Sequence, residues 1–512
     1  MKKVTTRSLA AMLLAALIVA GMGVYLVRLV RDGGRWAAFY ANDSVYADGA
    51  INRGTVLDRN GTLLAFSGEE VFGYADSAAV RTACLHVVGD MNGNIGTGAL
   101  TAFRPQLIGY SLLTGTTTDG GTVKLSIDAD LNVTAYNALA GRSGAVLVYN
   151  YETGAILCMV SSRSYDPNYG FDTSDPAYEG VYINRGISAS FVPGSVFKLV
   201  TLAAAIENIP DLYTQTFPCQ GSYDVDGATI NCTGVHGTQT VEEALANSCN
   251  CAFAQIALQL GGDTIARYAE KYGLTETHDL NGIETAAGSI DSAGSDRPNV
   301  AWEGIGQYHD LVTPYSLLRL MGAIANGGVV KEPSILYGES NGSHRIMKQS
   351  TADILASLMS YNVEYNYGSD NYPGLEMHAK TGTAEFGDGT SRISVAVVSC
   401  GVDSLGQREA QIGIQTMEPH SQKQRHLDES VLLFLLHGGG GGSEIDGGHA
   451  AAARETKTAQ RQGRGERHVE VANLLIVRQK VHPHSRPNAE MSAEPVGVAQ
   501  VETEAEAWLV VP

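Results

Sequence analysis

An α+β domain behind an N-terminal membrane-crossing helix is the fold class this sequence predicts, and three observations carry it. Ser8 to Val27 is uncharged and mostly apolar, about the length needed to cross a bilayer. From Val123 onward, short strand-like runs bounded by turn residues are interspersed with longer helical ones. Pro193-Gly194 precedes Val196, Phe197, Leu199, Val200, Leu202 and Ala203, the pattern of a buried helix with a marked start.

Taken in order, residues 1–7 form a short polar end and residues 8–30 the anchor. A cleaved signal peptide is the rival for that span, but its apolar region is usually shorter. Lys2, Lys3 and Arg7 precede the span and Arg28, Arg31 and Arg35 follow it, so flanking charge sets no orientation. Residues 31–121 form a short segment between the anchor and the main domain. In it, Asn52 to Ala65 is a hairpin with Asn60-Gly61 supplying the positive φ angles of a two-residue turn. The main domain, 122–437, begins near Thr122. Val123 to Ile127 is a strand, Asp128 an N-cap, and Leu131 to Leu139 a helix. Gly144 to Tyr149 and Ala155 to Ser161 are strands around a Glu152-Thr153-Gly154 turn. Residues 438–512, which open on the run Gly438 to Gly442, are expected to be disordered or poorly packed.

At 512 residues with 44% hydrophobic content, the chain has enough apolar surface for a sizeable core. A net charge of −19 argues against nucleic acid as a partner, and none is expected. No P-loop, dinucleotide fingerprint or zinc-ligand spacing is apparent. Seven cysteines leave at least one unpaired. Cys219 and Cys232 flank an Asp226-Gly227 turn and are placed to close a disulfide. Cys249 and Cys251, two apart, point to different sides of a helix and are expected to be small core residues. With no ligand histidine evident beside them, a zinc site is not expected.

Three short motifs carry chemistry: Ser195-Val196-Phe197-Lys198, Ser248-Cys249-Asn250 and Lys380-Thr381-Gly382. Alone, S-x-x-K is weak, arising about once by chance in a chain this long. K-T-G arises in about one such chain in ten. The bland alternative makes Ser195 an N-cap and Lys198 a solvated first-turn residue. The ordered trio argues against it. A serine hydroxyl is a weak nucleophile and needs a base in reach. Lys198, one helical turn on, shares its face. A lysine is a base only when neutral, and burial or a second cation, here Lys380, lowers its pKa.

In this order the trio resembles the active-site set of the penicillin-binding and serine β-lactamase superfamily. The R-G-x-x-x-D-R-x-G-x-x-L-A pattern of Arg53 to Ala65 is similar to the start of the non-catalytic segment in class B penicillin-binding proteins. Asn184-Arg185-Gly186, Trp302 to Gln307, Val312-Thr313-Pro314 and Ala325 to Gly328 match further landmarks. The resemblance covers about residues 52–389. It implies a β-lactamase/transpeptidase-like fold, an antiparallel sheet flanked by helices, and a segment too short for the glycosyltransferase domain of bifunctional relatives. It implies a peptidoglycan D,D-transpeptidase acting on D-Ala-D-Ala stem peptides, with β-lactams as covalent inhibitors and no metal or organic cofactor. It also implies an extracytoplasmic catalytic domain on the bacterial membrane and a membrane-embedded glycosyltransferase as partner. On the same basis Ser195 is the nucleophile, Lys198 its base and Ser248 a proton relay to the leaving amine. Asn250 holds Lys198 and the substrate amide. Lys380, Thr381 and Thr383 bind the substrate carboxylate, and Gly382 lets the strand approach closely. Backbone N–H groups of Ser195 and Thr383 form the oxyanion hole.

The tail departs from the pattern. Lys380 to Gly389 matches, but Arg392 to Val398 follows without the aromatic-glycine strand of relatives. All 23 tyrosines precede residue 386, which is unlike one uniform composition. A segment foreign to the family is one explanation. A divergent native end is the other, with strands at Ile393 to Cys400 and Gln411 to Gln415 and a helix at Ser430 to Leu436. Two functional alternatives stay open: a D,D-carboxypeptidase or β-lactamase-type hydrolase, and a catalytically impaired scaffold. A β-lactam sensor is excluded by the few residues before Ser8.

Overall fold

The structure is a computed structural model that describes residues 2–37, 54–67, 72–113, 120–371, 375–386, 391–402, 415–417, 429–436, 477–478 and 507–509. The Arg53 position, the Gly387–Gly389 end of the K-T-G stretch and the Gly438–Gly442 run lie outside these residues.

A single helix, Lys2–Ala37, opens the chain. Its apolar stretch, Arg7–Ala37, runs for 31 residues with none of its most apolar window buried. That is long enough to cross a bilayer with tilt. It outlasts the uncharged run because arginines favour helix well and fit its last turns.

The segment behind the anchor forms a sheet in the order Phe72–Tyr74, Leu63–Ser67, Thr55–Leu57, Thr122–Lys124. The last pair is parallel, so Thr55–Leu57 and Thr122–Lys124 belong to one sheet. The hairpin forms, but its turn is not the expected two-residue Asn-Gly type. Leu57 pairs with Leu63, and only Gly61 of that turn has positive φ, at 87°. The reason is Asp58, whose buried carboxylate accepts from the N–H of Asn60 at 2.8 Å and Thr62 at 2.7 Å. Its other oxygen accepts from Ala129 N–H at 3.1 Å. One side chain thus shapes the turn and ties it to the N-terminus of the helix Ala129–Ala138. Asp128 caps that helix, as expected, accepting from Leu131 N–H at 3.0 Å. Gly54 is required by contact: a Cβ there would lie 2.4 Å from the Gly121 carbonyl and 2.5 Å from that of Leu107, at φ +70°.

The central sheet has five strands in the order Leu375–Phe386, Ser391–Val402, Glu429–Leu436, Ser143–Asn150, Ile156–Ser162. Its two outer pairs are antiparallel. The inner strand runs parallel to both neighbours, pairing Ile393 to Cys400 on one side and Ser143 to Asn150 on the other. Every residue of Ser143–Asn150 and Ile156–Ser162 is buried, as strands covered on both faces must be. The helix Pro314–Ala325 packs against the sheet, buried at all but its last position.

The tail corrects one expectation. Ser430 to Leu436 is strand, not helix. A short run such as Val431 to Leu436 has no periodicity to decide between the two. Two neighbouring strands with open ladder positions decide it. Ile393 to Cys400 is a strand, as expected. The strand expected at Gln411 to Gln415 is seen only as Gln415–Met417, paired with Ala507–Leu509; residues 411–414 lie outside the description. Beyond residue 438, the described residues are Val477–Arg478 and Ala507–Leu509, both strand.

Candidate active site

The serine sits in a tight turn. Gly194–Phe197 is a 3-10 turn that runs into the helix Lys198–Asn208. Gly194 has φ +54°, and a Cβ there would lie 2.7 Å from the Thr383 carbonyl. Phe197 and Val196 are fully buried below the turn, so the turn is fixed to the core while Ser195 stays partly open.

Lys198 points back beneath Ser195. Its Nζ lies 3.0 Å from Ser195 Oγ, 2.6 Å from the Ser248 carbonyl, 3.4 Å from Ser248 Oγ and 2.7 Å from Asn250 Oδ1. Ser248 reaches this position through a left-handed backbone, φ +49°, and Cys249 then caps the helix Asn250–Leu260. Asn250 Nδ2 donates to the Asn231 carbonyl at 2.8 Å, which fixes the orientation of its amide. From the opposite wall, Lys380 Nζ donates to Ser248 Oγ at 2.8 Å and to the Thr381 carbonyl at 2.6 Å. Ser248 Oγ is therefore in contact with both lysines.

No carboxylate hydrogen-bonds to either amine among the described residues. Burial brings Lys198 down to about 8. Lys380 is held well below the ordinary lysine range by burial first and by the charge of Lys198 second. Two buried amines sharing one hydroxyl disfavour double protonation. The sequence reading made Lys380 a candidate for the second cation that lowers the pKa of Lys198; in the structure the pKa of Lys380 is itself lowered, by burial first and by Lys198 second.

All five residues expected to act in catalysis, Ser195, Lys198, Ser248, Asn250 and Lys380, fall in this one hydrogen-bonded group. Thr383 is exposed on the strand beyond, and Thr381 is half-buried with Oγ1 3.4 Å from the Tyr367 hydroxyl. Gly382 serves the walls themselves. A Cβ there would lie 2.9 Å from Val196 N and 3.2 Å from the Pro193 carbonyl, so its absence lets the K-T-G strand pack on the serine turn.

Three supporting residues were not singled out from sequence. Asn362, buried on the helix Gln349–Asn366, donates to the Ala379 carbonyl at 2.8 Å. Asn366 donates to Asn362 Oδ1 at 2.7 Å and to the Ala246 carbonyl at 2.8 Å. They link the K-T-G strand to the helix end before Ser248. The available signal was two asparagines four apart on one helical face. Tyr367 caps the same helix.

The cysteine expectations need correction. Cys84, Cys158, Cys219, Cys232, Cys249 and Cys251 are unpaired, so Cys219 and Cys232 form no disulfide. His236, thirteen residues before Cys249 in the sequence, lies against Cys219, Cys232 and Cys249. The signal available in the sequence was its place four residues after Cys232.

With the geometry in hand, comparison with known proteins is specific. The penicillin binding protein transpeptidase domain matches residues 144–399, and the chain belongs to that family. It is 28% identical over 312 residues to a peptidoglycan D,D-transpeptidase, PbpA, of Mycobacterium tuberculosis, covering 54% of this chain and 62% of that protein. Stage V sporulation protein D of Bacillus subtilis is 30% identical over 238 residues, 42% of this chain and 35% of that protein. The chain thus spans less than two thirds of these relatives. A crystal structure of PbpA from M. tuberculosis superposes with TM-score 0.57 at 25% identity, covering 66% of this chain and 87% of that one. The D,D-transpeptidase domain of a peptidoglycan glycosyltransferase from Eggerthella lenta gives 0.59 at 25% identity, covering 68% and 90%.

Proposed function

We propose that this protein is a serine D,D-transpeptidase that cross-links peptidoglycan stem peptides. The observation that carries the proposal is the hydroxyl–amine–hydroxyl–amine chain from Ser195 through Lys198 and Ser248 to Lys380. Neutral Lys198 takes the Ser195 proton as Oγ attacks the carbonyl of the penultimate D-Ala. The C–N bond to the terminal D-Ala then breaks. Lys198 returns the proton through Ser248 Oγ to the leaving amine. An amine of a neighbouring stem attacks the resulting ester, gives up a proton by the reverse route, and releases Ser195. Backbone N–H groups of Ser195 and Thr383 are assigned to the developing oxyanion.

Lys380 couples binding to chemistry in this scheme. A carboxylate arriving at Lys380, Thr381 and Thr383 favours the protonated form of Lys380. Charge on Lys380 then disfavours charge on Lys198 and keeps the base neutral. The substrate's own carboxylate would thereby switch on the nucleophile.

The impaired-scaffold alternative is weakened by the pairing of Leu375–Phe386 along its length with Ser391–Val402, which supports Lys380 in place. We assign residues 8–30 to a membrane anchor, 31–121 to a short non-catalytic segment and 122–437 to the catalytic domain. The catalytic domain is assigned to the outer face of the bacterial membrane, beside a membrane-embedded glycosyltransferase. These assignments rest on the apolar helix and the family. β-Lactams, which mimic D-Ala-D-Ala, are expected to acylate Ser195.

The test is partition of the acyl group. Full-length chain in detergent is given a stem pentapeptide, with and without a second stem carrying a free amine. A cross-linked dimer that grows with amine concentration supports transfer. Release of D-Ala to water alone, insensitive to amine, would make the protein a carboxypeptidase.

A further inference from the structure

We infer that Cys219, Cys232, His236 and Cys249 form a four-coordinate zinc site that holds the Ser248-Cys249-Asn250 turn in its working position. The inference does not depend on which acceptor the enzyme uses.

The first observation is the geometry. One ligand atom from each of the four residues lies within 4.8 Å of all the others. Cys232 Sγ is 3.8 Å from Cys249 Sγ, and His236 Nδ1 is 3.5 Å from both Cys219 Sγ and Cys232 Sγ. Zinc bonds of about 2.3 Å to sulfur and about 2.0–2.1 Å to nitrogen, at tetrahedral angles, require edges of about 3.8 Å and about 3.5 Å. The three measured edges match that tetrahedron. A disulfide would need sulfurs about 2.05 Å apart, and would leave a thiol and the imidazole unused.

The second observation is the hydrogen bonding around the sulfurs. Asn250 N–H donates to Cys232 Sγ at 3.3 Å and Ala252 N–H to Cys249 Sγ at 3.4 Å. Amide donors aimed at sulfur favour the thiolate, as the outer partners of metal ligands do. Three thiolates and one imidazole suit zinc rather than magnesium, calcium or manganese. On binding, the three thiols release their protons to solvent, and the site with one Zn²⁺ carries a net charge of −1. Four protein ligands leave no open position, so the ion is structural.

Its position gives it a task. Cys219 ends the strand Phe217–Cys219, Cys232 follows the strand Ala228–Asn231, and His236 precedes the strand Gly237–Gln239. Cys249 is the middle residue of the catalytic motif and caps the helix that Asn250 begins. One ion would fasten that turn to the hairpin region. The fastened turn presents the Ser248 carbonyl and Asn250 Oδ1 to Lys198 at 2.6 and 2.7 Å. These four are positioning residues: none touches the reacting atoms.

The test uses full-length chain extracted in detergent under reducing conditions, with no metal-affinity step. Elemental analysis is expected to find about one zinc per chain. Cobalt exchanged for zinc should give the intense visible bands of a tetrahedral site and thiolate-to-cobalt charge transfer. His236→Ala and Cys232→Ala should each lower bound zinc at least about tenfold, while Cys251→Ala, which alters the neighbouring cysteine, keeps it. Chelation should lower Tm by about 5 °C or more and slow penicillin acylation at least about tenfold, both restored by zinc. A folded wild-type chain that holds no zinc and gives no tetrahedral cobalt spectrum would overturn the site. So would a disulfide joining any two of the four residues in chain alkylated directly from membranes. Loss of zinc from Cys251→Ala would refute this ligand set. Zinc removal that leaves acylation unchanged would refute the positioning role.

Discussion

The two walls of the active site are built in different ways. The wall that carries Ser195, Lys198, Ser248 and Asn250 comes from one continuous stretch of the chain. Its residues are fixed by a helix start, a left-handed turn and a helix cap. The wall that carries Lys380 is a strand whose place depends on distant partners. It pairs with Ser391–Val402, which pairs with Glu429–Leu436, which pairs with Ser143–Asn150. Each motif of the first wall takes its shape from local conformation, and the two motifs meet through contacts within residues 195–250; the second wall is positioned by sheet completion. The chemistry needs both, since Ser248 Oγ meets an amine from each.

This contrast can be broken most severely from the tail. A chain ended after Val402 lacks the inner strand and leaves two eight-residue ladders open. Loss of all penicillin labelling is expected, with broadened thermal unfolding. Labelling at an undiminished rate would show that the K-T-G wall stands without the tail strand.

Gly194→Ala attacks the seam between the walls. The new Cβ meets the Thr383 carbonyl at 2.7 Å in a backbone with φ +54°. We expect acylation to fall about 10- to 100-fold, because a displacement near 1 Å costs on the order of 10²-fold. Stability should fall by about 1–3 kcal/mol. Stopped-flow acylation and urea unfolding check the two effects, and an unchanged rate would argue that the seam is not tight.

The pH profile sharpens the electrostatic half of the comparison. Lys198 is brought down to about 8 by burial, and in the proposed mechanism its neutral form is the base. Acylation should therefore rise by about tenfold per pH unit well below that value and level above it. A flat profile from pH 6 to 9 would mean that Lys198 is already neutral throughout. The expected effect of Asn362→Ala is smaller. It strands the Ala379 carbonyl, costing about 1–3 kcal/mol, with acylation changed less than about threefold at temperatures where the chain is folded. Thermal unfolding beside the acylation rate separates these.

What was legible in the sequence follows the same division. The Ser195–Lys198 spacing, the Asp128 cap and the hairpin around Gly154 are local, so residue type and spacing were enough. The Asn60-Gly61 turn was misjudged because Asp58, bonded to Ala129 N–H across the fold, overrides the dipeptide. Ser430 to Leu436 was misjudged because its strand state depends on neighbours almost 300 residues away in the chain. Asn362, Asn366 and His236 act through contacts made only on folding. Their chemistry was present in the sequence, but no motif pointed to it.

The central claim is that both walls close around Ser195 despite the unusual tail. Full-length chain in detergent, labelled with a penicillin and mapped by peptide mass, tests it directly, with Ser195→Ala beside it. The account predicts one adduct per chain, on Ser195, absent from the variant. Folded protein that takes no label, or takes it elsewhere, would contradict it.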